Sequence, residues 1–177
     1  GLVGSEMCIR DSCCSAVQIS RLRGQPPLVQ NAKLHGGRDN APWQQLIDLN
    51  NISIKILKNA KKHKLSNQLF IEPFLVPHRD EFSETVGYKI IGPKKKVLFI
   101  PDIDKWSLWN KNLISVLKEV DLAFLDATFF NAEEVNYRPI SEIPHPLVHE
   151  TVKLLENETK EIKNKIYFIH MNLSLIH

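Results

Sequence analysis

The sequence predicts an α/β (α+β) layer structure built on a mixed sheet, and three observations predict it. Short, almost wholly apolar runs recur at 98–100, 122–125 and 166–169, the pattern of strands buried on both faces. Helix-spaced apolar residues separate these runs: Leu113, Val116, Leu117 and Val120, then Val148, Val152 and Leu155, with Leu154 widening the second face. Upstream, two strand-like segments flank Gly92-Pro93, which predicts an antiparallel hairpin. Strand, helix, strand, helix, strand behind a hairpin is a sheet covered by helices.

The elements follow in order. Residues 13–40 read as irregular, punctuated by Gly24, Pro26, Pro27, Gly36 and Gly37, with His35 as a surface-loop histidine. Residues 42–49 (PWQQLIDL) predict a short helix with Asn40 as cap and Pro42 where a missing N–H costs little. Ile52, Ile54 and Ile56 alternate, predicting a half-buried strand over 51–57. Strands are predicted over 69–76, 85–91, 96–100, 121–126 and 166–169. Helices are predicted over 108–120 and from His145-Pro146 through Leu155.

Length and composition exclude several classes. The 177 residues, 43% of them hydrophobic, suffice for one core and are short for two domains. A net charge of +3 with 24% charged residues gives no nucleic-acid footprint. The basic runs at Lys61, Lys62 and Lys64 and at Lys94 to Lys96 read as a solvated face and a hairpin tip, so nucleic acid is an unexpected partner. Cys8, Cys13 and Cys14 all lie near the start, which argues against a disulfide scaffold and a cysteine-ligated zinc. No apolar run reaches about 18 residues, so no membrane partner is expected, and the default location is cytoplasmic.

The chemistry-bearing residues sit at strand ends. His78 follows the 69–76 strand, Asp102 and Asp104 follow 96–100, Asp126 ends 121–126, and His170 ends 166–169. Ligands gather beyond the carboxyl ends of strands in open α/β sheets, and imidazole with carboxylate suits zinc, iron or manganese. Each residue also has a plainer reading. His78 alone is a solvated turn histidine, Asp102 a loop cap, Asp126 a buried carboxylate holding its loop, and His170 a satisfied core histidine.

From about Asn40 to Asn172 the chain resembles the metallo-β-lactamase fold superfamily. Within it, the resemblance is to the pyrroloquinoline quinone biosynthesis protein B (PqqB)-like branch, alongside phosphodiesterase and tRNA-processing relatives. His78 before Val86-Gly87-Tyr88, Asp102 in FIPDID, LDATFF at 125–130 and His170 in FIHMN carry it. The resemblance implies an αββα sandwich, of which this chain holds a partial, C-terminal half. It implies His78, Asp102 and His170 as metal ligands, zinc as the metal, and Asp102 as a bridging carboxylate with a catalytic role. His145 opens the last helix and, as in the phosphodiesterase relatives, acts as general acid; His149 is a helix-surface residue. The superfamily's His-x-His-x-Asp-His cluster does not occur in the sequence.

Residues 1–12 (GLVGSEMCIRDS) resemble translated sequencing-adapter sequence, and 173–177 (LSLIH) resemble its opposite strand. The expected organisation is therefore an irregular or foreign segment over 1–39, a partial domain over 40–172, and a foreign tail. The expected function is a fragment of a metal-dependent hydrolase, or of a PqqB-like cofactor-biosynthesis enzyme, inactive as it stands. Its substrate would be a phosphoester or another small molecule. The alternative is a non-catalytic structural or binding member of the fold. A half-sandwich exposes one sheet face, which needs a partner such as a second copy in a homodimer.

Overall fold

A computed structural model of the chain describes residues 17–21, 45–46, 48–79, 84–135 and 139–171. His35, Asn40, Pro42 and the two end segments lie outside them.

Two sheets are present among the described residues. The first pairs β1 (Val17–Arg21) with β2 (Ile52–Ile56), antiparallel, with Ile19 opposite Ile54. This corrects the irregular reading of 13–40 at one place. Residues 17–21 (VQISR) alternate over only five positions, too few to stand out beside the flanking glycines and prolines. Of the predicted helix over 42–49, the described residues, 45–46 and 48–49, form a turn. The Leu49 N–H bonds the Gln45 carbonyl, and Asn50 closes the turn at φ 57°, a left-handed position that asparagine tolerates.

The second sheet has six strands in chain order: β3 (His63–Lys64), β4 (Phe70–Leu75), β5 (Val86–Ile91), β6 (Lys96–Ile100), β7 (Leu122–Asp126) and β8 (Ile166–Ile169). Pairing is antiparallel from β3 to β6 and parallel from β6 to β8, the mixed sheet expected. The β5–β6 hairpin closes through the Gly92 N–H on the Lys95 carbonyl. Both parallel crossovers are helical: α1 (Leu113–Lys118) joins β6 to β7, and α2 (Val148–Leu154) with α3 (Lys160–Asn164) joins β7 to β8.

One face of this sheet carries the core. Phe74, Leu98, Ile100, Ala123 and Leu125 pack there against Leu113 and Leu117 of α1, Leu155, and Ile162 of α3. The opposite face carries Phe99, Phe124 and Tyr167 side by side, with Tyr167 50% exposed. Gly87 explains how β4 and β5 fit together. A Cβ there would lie 2.6 Å from the Phe74 ring, so glycine lets that ring cross the sheet and stack on Trp109 at 5.7 Å. Trp109 in turn donates its indole N–H to the Leu75 carbonyl, fixing the end of β4.

Two helix readings are corrected. The predicted helix over 108–120 begins only at Leu113, capped by Asn112 accepting from the Ser115 N–H; a 3-10 turn, Trp106–Leu108, precedes it. The helix after Pro146 turns inward on Val148, Thr151 and Leu155, while Val152 and Leu154 face out. Thr151 is buried because its hydroxyl accepts the Trp106 indole N–H at 2.8 Å, which rotates the helix away from the all-apolar face.

Candidate metal centre

Strand direction decides where the site lies. β4 is antiparallel to β5, which is antiparallel to β6, so β4, β6, β7 and β8 all run the same way. Their carboxyl ends therefore share one sheet edge. His78, Asp102, Asp126 and His170 leave those four ends, and His145 joins them from the loop before α2. Backbone ties hold the loops together. The Asp104 N–H bonds the Pro77 carbonyl at 2.7 Å, and the Val148 N–H bonds the Phe129 carbonyl at 2.9 Å.

Of the predicted ligands, Asp102 and His170 fall in one cluster with Asp126 and His145, while His78 stands beside it through Asp102, and Asp104 accepts from the Lys105 N–H of its own loop. Asp102, Asp126, His145 and His170 each place a ligand atom within 4.8 Å of the others, a cluster capable of coordinating a metal ion. His78 Nε2 lies 2.9 Å from Asp102 Oδ1, and its ring meets the His145 ring edge-on at 5.5 Å. His149 is on the helix surface, its ring against Phe130. His170 has φ 61°, a left-handed conformation that costs of order 1–3 kcal/mol for such a residue and re-aims the chain directly after β8.

Asp126 is fully buried and saturated. Its Oδ1 accepts from the Thr128 N–H at 3.0 Å and the Thr128 hydroxyl at 2.7 Å; its Oδ2 accepts from the Ile103 N–H at 3.2 Å and from His145 Nδ1 at 2.8 Å. Those bonds fill the four lone-pair directions of a carboxylate. Burial alone would raise its pKa, but the His145 bond, the nearby His170 ring and the Thr128 bond outweigh burial and hold it at about 2. Asp126 pulls the other way on His170, raising that imidazole's pKa against burial, with the Pro101 carbonyl adding to the effect.

The His78–Asp102 side is different. The Asp102 carboxylate raises the His78 pKa against burial. Yet the two close atoms are not aligned as a hydrogen bond. His78 Nδ1, His78 Nε2 and Asp102 Oδ1 are all shielded from solvent without a hydrogen-bond partner. Buried polar atoms are rarely left so, and a bound ion is one of the partners that satisfies such atoms. Imidazole nitrogens and carboxylate oxygens fit a divalent transition metal, zinc among them, by donor chemistry, and Asp102 belongs both to the cluster and to the contact with His78.

The match to known proteins decides the family. A model of the beta-lactamase superfamily domain matches residues 14–171. The chain belongs to that family. The match reaches well before residue 40, taking in β1. Among solved structures, one shares the fold and a second is a weaker match. Zn2+-bound PqqB from Methylobacterium extorquens is 16% identical with a TM-score of 0.51, over 67% of this chain and 44% of that one. A provisionally named metal-dependent hydrolase from Parabacteroides distasonis ATCC 8503 is also 16% identical, with a TM-score of 0.41, over 67% of this chain and 58% of that one. The chain thus spans about half the length of these two proteins. No curated protein matches it. Among the described residues no helix is long and apolar enough to cross a membrane.

The sequence reading missed Thr128. Its hydroxyl lies 3.3 Å from His145 Nδ1 and 3.1 Å from His170 Nδ1 as well as on Asp126, and no spacing rule singles it out.

Proposed function

We propose that this chain carries a metal centre of a metal-dependent hydrolase acting on a phosphoester or similar small substrate. In this reading His78, Asp102 and His170 hold the ion, and His145 hands a proton to the leaving group. A bound divalent ion would supply Lewis-acid polarisation of a substrate oxygen and activation of water. Zinc is the metal expected first, with iron or manganese also matching the donors.

The observation that carries the reading is the His78–Asp102 pair: buried donors, 2.9 Å apart, without hydrogen-bond partners. The His145–Asp126 contact of 2.8 Å supports the proton-transfer role, because a buried carboxylate bonded to one ring nitrogen fixes the ring and leaves the other nitrogen for proton transfer. In the PqqB-like reading the same scaffold would instead serve an oxidation. With only His78, Asp102 and His170 as ligands and no His-x-His-x-Asp-His cluster in the sequence, binding is expected to be weak and turnover by the chain as it stands negligible.

The test is Zn2+ titration against a competing chromophoric chelator, followed by turnover of bis(p-nitrophenyl) phosphate. One reversibly bound ion, lost in His78→Ala and in Asp102→Ala, is the expected result. No binding at all would move the chain to a non-catalytic member of the fold. An equimolar ion that survives exhaustive chelation would overturn the expectation of weak binding.

A further inference from the structure

We propose that Thr128, acting with Asp126, is a positioning residue that sets the ring tautomer of both His145 and His170, so that each carries its proton on Nδ1 and keeps its lone pair on Nε2. This rests on the metal-centre reading above but makes a claim of its own about metal-free protein.

The argument is one of counting hydrogens. A threonine hydroxyl has one hydrogen to donate and lone pairs to accept with. The Thr128 hydroxyl donates to Asp126 Oδ1 at 2.7 Å, the shortest contact it makes. Asp126 accepts from the Ile103 and Thr128 N–H groups on its two oxygens, so it acts as an acceptor throughout and that hydrogen is committed. Toward His170 Nδ1 at 3.1 Å and His145 Nδ1 at 3.3 Å, the hydroxyl can then act only as acceptor. Both Nδ1 atoms must therefore bear hydrogen. His145 satisfies the same condition a second time, because its Nδ1 faces Asp126 Oδ2 at 2.8 Å, an acceptor too. Asp126 Oδ1 stands 3.7 Å from His170 Nδ1, so the hydroxyl is the closer partner of that ring. Thr128 is held in place by its own N–H on Asp126 Oδ1 at 3.0 Å.

The consequence is functional. A neutral imidazole ligates or accepts a proton only through the nitrogen without hydrogen. One buried carboxylate and one hydroxyl thus orient two rings at once: Nε2 of His170 for an ion, and Nε2 of His145 for a proton. Partners on the far side of a ligating histidine typically change metal affinity by 10–100-fold when removed.

The experiment compares Thr128→Val, which keeps the shape and loses the hydroxyl, with Thr128→Ser, which keeps the hydroxyl. Zn2+ affinity is read by chelator competition, and histidine tautomers by 15N chemical shifts of the metal-free protein above pH 8. The expected result is about a tenfold loss of affinity in Thr128→Val, with the His170 Nδ1–H signature weakened while Asp126 keeps that of His145, and near-parental values in Thr128→Ser. Parental affinity and shifts in Thr128→Val would overturn the proposal, as would a Thr128→Ser variant that behaves like Thr128→Val. Should the parent bind no Zn2+, the metal reading fails separately and the shifts decide. A His170 Nδ1–H signature present in the parent and weakened in Thr128→Val upholds the clamp, and one absent or unchanged rejects it. Should Thr128→Val not fold, the parent and Thr128→Ser decide by the same shifts: Nδ1–H on both rings upholds the clamp, and Nε2–H on either rejects it.

Discussion

The two sides of the site are built on opposite principles. On the Asp126 side every acceptor direction of a buried carboxylate is filled by the protein itself, from Ile103, Thr128 and His145. On the His78 side, two ring nitrogens and a carboxylate oxygen are buried with no partner. A protein closes the first kind of arrangement to hold its loops, and leaves the second kind open for something it binds. Substitutions on the first side should therefore read out mainly in stability, touching metal affinity only through the orientation of His170, and on the second in metal binding.

The largest effect is expected at Asp126. Asp126→Ala strands the Ile103 and Thr128 N–H groups and a buried histidine at once. Breaking such a buried pair costs on the order of 3–5 kcal/mol, read as a lower urea midpoint of the metal-free protein. A loss below about 1 kcal/mol would erase the contrast between the two sides.

Next comes the packing that supports the His78 side from beneath. Gly87→Ala drives a Cβ into the Phe74 ring and toward Ile100, and overpacking of this kind costs about 1–3 kcal/mol. Unchanged thermal unfolding would mean that Phe74 has room to move and that Gly87 does not hold the end of β4.

pH sharpens the comparison. Asp126, held at about 2 when folded against 3.8 ordinarily, contributes stability that is present above pH 4 and lost as pH falls toward 2. That shift corresponds to roughly 2 kcal/mol. His78 and His170, both raised, contribute stability that is complete below about pH 6.5 and lost as pH rises through their folded values. Metal-free protein should thus melt higher at pH 5.5 than at pH 8. Zn2+ should stabilise more at pH 8, because ligands must shed protons to bind. A metal-free melting temperature that rises from pH 5.5 to 8 would contradict these assignments.

The smallest stability effect is expected where the donors are open. Asp102 is part-exposed and makes no aligned bond to His78, so Asp102→Ala should change metal-free stability by no more than about 1 kcal/mol. A larger loss by urea unfolding would place Asp102 with Asp126 as scaffold.

Much of this was legible in the chain. Alternation and apolar runs marked β2 and β4 to β8, and the Gly92-Pro93 turn marked the hairpin, because those signals are local. His78, Asp102, Asp126 and His170 stood out as polar residues ending apolar runs, and parallel strand direction then put them at one edge. The rest depends on contacts between distant segments. Thr151 faces the core only because Trp106 reaches it. The α3 helix, KEIKN, offers one buried residue, Ile162, and so shows no periodicity. Thr128 matters through three neighbours, of which His145 and His170 are remote in sequence. β1 is a strand by its pairing with β2 rather than by its composition.

The most direct test of the account is paired measurement on parent, Asp102→Ala and Asp126→Ala: Zn2+ binding by chelator competition beside metal-free urea unfolding. The account predicts that Asp102→Ala abolishes binding while keeping parental stability, and that Asp126→Ala loses several kcal/mol of stability. Zn2+ binding undiminished in Asp102→Ala, or absent from the parent itself, would contradict it.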